Sequence, residues 1–199
     1  CQSCHISVGK EEDLFASDEG GDEASESEAK AVGAVQCESC HGPAAGWADV
    51  HWRYNGQRLS KDQEDPAHKA ERLRQVDAAG MIRAAQSNLM AARCLSCHIV
   101  ADERLVNEGG HPAGSDFEYV GWTQGEVRHN FGTEESDENH ATPPERLRLM
   151  YVVGAVVDLE QSVRALTRAT ARAVYAQSLA ERARRAAVRV ADLSDLLNL

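Results

Sequence analysis

The clearest apolar rhythm in the chain lies in "ATPPERLRLMYVVGAVVDLEQSVRALTRAT". Leu147, Met150, Val153, Val157, Val163 and Leu166 recur there at spacings of three or four, or small multiples of them, which places them on one face of a helix. Thr142 as a cap, prolines in the first turn and Glu145 three residues after Thr142 mark its start. The pattern predicts a helix from about 144 to 170 and a second to about 196, with a break near Ala171–Tyr175. Upstream, "DPAHKAERLRQVDAAGM" predicts a helix capped by Asp65 with Pro66 at its first position, and "QSNLMAARCLSCH" reads as another helical piece. Residues 99–144 are rich in glycine and read as loop, and no strand pattern stands out. The expected fold is mainly α with much irregular chain. A first domain (1–141) would carry a C-terminal helix or helical hairpin (142–199) packed upon it.

Composition leaves that fold short of large core side chains. Aromatic residues make up 5% of the 199 residues, and much of the apolar content is alanine. The longest uninterrupted apolar run, Met150–Val157, is far short of the roughly 20 residues that span a bilayer, so no transmembrane segment is expected. The net charge of −11 argues against nucleic acid as a partner. Acid is concentrated in residues 11–30, which read as a solvated, mobile surface loop. A docking patch for a basic redox partner is the other reading of that segment.

The cysteines change the picture most. All six fall in three Cys-x-x-Cys-His units: Cys1, Cys4 and His5; Cys37, Cys40 and His41; Cys94, Cys97 and His98. Histidine is 8 of 199 residues, so three chance occurrences directly after a cysteine pair would be roughly a one-in-15,000 event. A zinc ribbon needs no adjacent histidine. A redox dithiol occurs once, beside a strand–helix–strand pattern. The remaining chemistry is covalent attachment of haem c, in which both thiols add across the porphyrin vinyl groups and the histidine ligates iron. Three haems would then supply much of the core. Such attachment is completed outside the cytoplasm, which implies a periplasmic or extracellular protein.

Five histidines remain to close the second axial positions. His51 lies in "GWADVHW". His111 follows Gly109 and Gly110, which could let backbone approach a flat ring, with Ser115 and Asp116 near enough in sequence to orient it. His129 sits beside Arg128, a potential propionate partner. His68 stands at the start of a helix. These four are the candidate distal ligands, and His140, in an acidic polar run, is expected to be a solvated residue. An iron with two protein ligands passes electrons, whereas a five-coordinate iron could bind substrate.

The stretches "VQCESCHGPAAGW" and "CLSCHIVADERLVNEGGHPAGSDFEYVGWTQGEVRHNF", followed by "PPERLRLMYVVGAVVDLEQSVRALTRAT", resemble multihaem c-type cytochromes similar to the tetrahaem electron acceptor of hydroxylamine oxidoreductase. The resemblance covers roughly residues 31–172. It implies bis-histidine haems in close-packed pairs, with His51, His68, His111 and His129 at positions where relatives carry histidine. It also implies a further Cys-x-x-Cys-His unit and a histidine upstream, hence a fourth haem. The acidic segment departs from that pattern. The implied function is electron transfer with other redox proteins or cytochromes. The alternatives are a haem enzyme acting on nitrogen or sulfur oxides at one open iron, and a subunit of an extracellular filament or respiratory complex.

Arginine adds one last expectation. Arg164, Arg168 and Arg172 would form one helical stripe, and Arg182, Arg185 and Arg189 another. They would either neutralise haem propionates or line a solvated face. Nine arginines between Arg146 and Arg189 oppose the acidic segment in charge, which allows self-assembly through opposite ends.

Overall fold

The computed structural model describes residues 7–9, 30–32, 35–54, 63–126, 128 and 141–198. Cys1, Cys4, His5, His129, His140 and nearly all of the acidic segment lie outside them. In chain order the elements are β1 (Ser7–Gly9), β2 (Lys30–Val32), α1 (Cys37–His41), α2 (Pro66–Ala78), α3 (Ser87–His98), α4 (Glu103–Asn107), α5 (Tyr119–Gly121), α6 (Pro144–Leu166) and α7 (Val174–Leu197). A 3₁₀ turn spans Ala44–Gly46, and a wide π turn, Trp122–Glu126, continues α5. The chain is mainly helical, as its periodicity predicts. The two strands were not expected. They pair antiparallel with Gly9 opposite Lys30, too short a ladder to leave an alternating signature.

Asp65 begins α2 as its sequence requires. Its Oδ1 accepts from the amides of Ala67 (2.9 Å) and His68 (3.1 Å), and Pro66 occupies the first turn. Asp102 caps α4 in the same way, accepting from Leu105 N at 2.9 Å. The start of α6 differs from expectation. Pro143 is its N-cap and Pro144 its first residue. Proline suits that place, because the ring fixes φ and the missing N–H would have been an orphan of the first turn in any case.

The core forms where α3, α5, α6 and α7 meet. α3 buries Ser87, Met90, Ala91 and Leu95 on one face. These pack with Ile99, Val106, Phe117, Tyr119, Met150, Val157, Ala165, Tyr175 and Leu179. α7 offers Tyr175, Leu179, Ala183 and Ala186 to the interior, so small side chains let it lie close along α6. α6 ends at Leu166 and α7 begins at Val174. Glu103 fastens the link between them, accepting from Thr170 N and Oγ1 (both 2.8 Å) and Ala171 N (3.0 Å). The hairpin is thereby joined to the half of the molecule that carries the cysteines. Among the described residues no helix is long and apolar enough to cross a membrane.

Candidate functional site

Cys37, Cys40 and His41 constitute a single helical turn, α1, and Cys94, Cys97 and His98 form the last turn of α3. Positions i, i+3 and i+4 of a helix share one face. Each motif therefore presents two thiols and an imidazole to the same side.

The two motif histidines are held by one device. The His41 carbonyl accepts from Ile82 N at 2.9 Å, while its Nδ1–H donates to the Ile82 carbonyl at 2.8 Å. The His98 carbonyl accepts from Ser115 N at 3.0 Å, while its Nδ1 lies 2.9 Å from Ser115 Oγ. In each case one distant residue pins both the backbone and the ring. The chain turns sharply after the first motif. Gly42 has φ +83°, and a Cβ there would lie 2.7 Å from the Gly80 carbonyl oxygen, so only glycine fits.

The motifs are also neighbours. α1 packs against α3, and Arg93 Nε donates to the Ser39 carbonyl at 2.7 Å. Burial pushes the Cys94 thiol up to about 12, and nearby Cys40 adds to the shift. Burial raises Cys40 as well. A redox dithiol works through a lowered thiol pKa, which is the opposite direction. A four-thiolate zinc site needs convergent ligands. Among the described residues no three His, Cys, Asp or Glu side chains converge in that way. A haem iron requires only two protein ligands, from opposite faces.

His98 sits in an aromatic cage. Phe117 stacks on its ring with centroids 4.4 Å apart, and Trp122 lies tilted at 4.9 Å. Burial, with a smaller contribution from Arg182, lowers its pKa, so the ring is held neutral, as a metal ligand must be. Arg182 reaches this place from α7. Its Nε donates to Asp158 Oδ1 at 2.6 Å and its Nη1 to the Ser115 carbonyl at 2.7 Å.

The candidate distal histidines fall in two places. His51 and His68 belong to one buried polar unit. The Glu64 side chain is fully buried, and its Oε1 accepts from His68 Nδ1–H and from Arg72 Nε, both at 2.7 Å. Arg72 Nη2 binds Oε2 at 2.5 Å, and Nη1 donates to the His51 carbonyl at 2.6 Å. The guanidinium lies 4.8 Å above the Tyr54 ring. Its hydrogen bonds hold the Glu64 carboxyl down at about 2. His51 Nδ1–H donates to the Ala48 carbonyl at 2.6 Å, and Trp47 meets its ring edge-on at 5.4 Å.

His111 lies apart, after α4, with Nδ1–H donating to the carbonyl of Pro112 at 2.8 Å. Its glycines serve helix termination. A Cβ on Gly109 would lie 2.7 Å from the Leu105 carbonyl oxygen, and Gly110 adopts φ +69°. Ser115, expected to orient His111, orients His98 instead. The arginine stripes also resolve differently. α6 stops at Leu166, so Arg172 does not continue the line of Arg164, which pairs with Glu160 at 2.7 Å. Arg182 and Arg189 turn inward to Asp158, at 2.6 and 3.7 Å.

Sequence reasoning missed Glu64, Arg72, Ile82, Trp47 and the role of Ser115. One signal was present, since Glu64, His68 and Arg72 stand four apart. Ile82 acts through its backbone, which no residue type announces. No known protein family, curated protein or solved structure matches the chain.

Proposed function

We propose that this chain is a multihaem c-type cytochrome that relays electrons outside the cytoplasm. The observation that carries the reading is the duplicated motif geometry. Two Cys-x-x-Cys-His turns each end in a histidine whose backbone and ring are pinned by one distant residue. In a neutral ring, Nδ1 bound to a carbonyl or carboxylate can only donate, which leaves the lone pair on Nε2. His41, His51, His68 and His111 all have such partners. Orienting a ligand histidine through its other nitrogen is the usual requirement of a metal site.

Trp47 supports the fit. It is 6% exposed, and its indole N–H has no acceptor among the described residues. A buried unsatisfied donor costs about 1–3 kcal/mol, and a haem propionate is an acceptor of the kind it lacks. Bound haem c supplies a one-electron iron couple. Cys37, Cys40, Cys94 and Cys97 would hold two such groups by thioether bonds, with His41 and His98 as proximal ligands. Cys1, Cys4 and His5 complete the same motif for a third. His51, His68, His111 and His129 are the candidates for the opposite faces. The contact between α1 and α3 would bring the first two groups close together, which suits electron transfer without any bound substrate.

The test is direct. Protein secreted from a host competent in haem attachment should show three haem mass increments that survive acid and acetone extraction. Its oxidised spectrum should be mainly low-spin. Stoichiometric zinc with no covalent haem would overturn the reading.

A further inference from the structure

The described histidines differ in what stands behind the ring. His41, His51 and His111 donate to backbone carbonyls, and His98 meets a serine hydroxyl. His68 donates to a carboxylate. That carboxylate is fully buried and gripped bidentately by Arg72.

A carboxylate pulls the Nδ1 proton toward itself and gives the ring more imidazolate character, so Nε2 becomes a stronger donor. A stronger donor favours ferric over ferrous iron. Arg72 has two effects on this. It keeps the carboxylate ionised, so the acceptor is permanent. It also cancels most of the carboxylate's field at a distance, so the influence is confined to the ring that Glu64 touches. His98, by contrast, has a neutral hydroxyl behind it.

Resting on the haem reading above, we propose that Glu64 is a positioning residue that lowers the potential of the iron closed by His68. Arg72 also fixes the His51 backbone, so one buried ion pair positions two candidate ligands.

The experiment is a spectroelectrochemical titration of the haem-loaded full chain. Glu64→Gln alone would strand Arg72 in the interior, so the principal variant is Glu64→Gln with Arg72→Gln, which removes both charges and keeps the shapes. One transition should move upward by about tenfold in that iron's reduction equilibrium, ~59 mV for one electron. The others should stay in place. His68→Ala should turn one low-spin haem high-spin and shift that same transition. Haem present with no transition moved, with all moving together, or with spin state unchanged in His68→Ala would each overturn the proposal and leave the cytochrome reading standing. Wild-type protein without haem would sink both.

Discussion

Two histidines of the described structure are immobilised by opposite means. His68 is held by charge, through a buried carboxylate, a bidentate arginine and an aromatic ring above the guanidinium. His98 is held by shape, through Phe117 and Trp122 against its ring and a neutral hydroxyl at its edge. Both solutions orient an imidazole. They differ in what they cost to break, in how they respond to acid, and in what electronic character they impose on the ring. A polar clamp is all-or-none, because one missing partner leaves a buried charge. An apolar cage weakens in proportion to the contacts removed.

The largest expected effects test that difference. Phe117→Ala should destabilise the protein by about 3–5 kcal/mol through lost burial and the cavity left behind. Arg72→Met should cost a similar amount, about 3–5 kcal/mol, because Glu64 remains buried without its partner. The two should part company on rescue. Adding Glu64→Gln to Arg72→Met should restore most of the loss in urea unfolding, whereas no polar change elsewhere should rescue Phe117→Ala. If the second substitution deepens the loss instead, the clamp is not all-or-none.

Acid should separate the two regions next. The Glu64 carboxyl is held at about 2, below its ordinary 4.5, chiefly by the Arg72 hydrogen bonds. Its contribution is therefore present above pH 4.5 and lost as pH falls through 2. His98 moves the other way for a base. Burial lowers its pKa below the ordinary 6.5, so the unfolded chain takes up that proton first, and stability falls as pH drops below 6.5. In metal-free protein the cage should thus loosen at higher pH than the clamp. Ring NMR signals of Tyr54 over the clamp and Trp122 in the cage, followed from pH 8 to 2, would show which region yields first, and Tyr54 yielding before Trp122 would reverse the comparison.

The smallest effect isolates the hydroxyl. Ser115→Ala removes one hydrogen bond to His98 Nδ1 but leaves the backbone bond from Ser115 N intact. The cost should be about 1 kcal/mol, with ring orientation loosened and the cage retained. A loss as large as that of Phe117→Ala would mean that the hydroxyl, not the aromatic packing, holds the ring.

The parts of this structure legible in the sequence were those decided locally. Asp65 and Pro66 start α2 through bonds to amides two and three residues away. The α6–α7 hairpin follows from periodicity and breaks within a few residues of its expected place. What escaped reading was decided by distant partners. Thr142 looked like the cap, yet Pro143 holds that position in α6. Gly109 and Gly110 looked like a flat landing for a ring, yet they end α4. Ser115 lay four residues from His111 in sequence, yet the fold brings it to His98. The line of Arg182, Arg185 and Arg189 was legible as a stripe, but the Asp158 that draws two of its members inward lies on another helix. The cysteine motifs are the intermediate case. Their spacing could be read from the sequence, and only the fold showed that two of them lie side by side.

That placement has a kinetic side. Cys94 is half-buried, its neighbour Leu95 is 2% exposed, and its thiol is held protonated far above neutrality by burial. A thiol in that state reacts slowly. Any covalent chemistry at Cys94 would therefore run fastest while the chain is open, before its core closes, or in a rare excursion that reopens it. The rate at which a thiol reagent labels Cys94 in finished, unmodified protein would be a clock for those excursions.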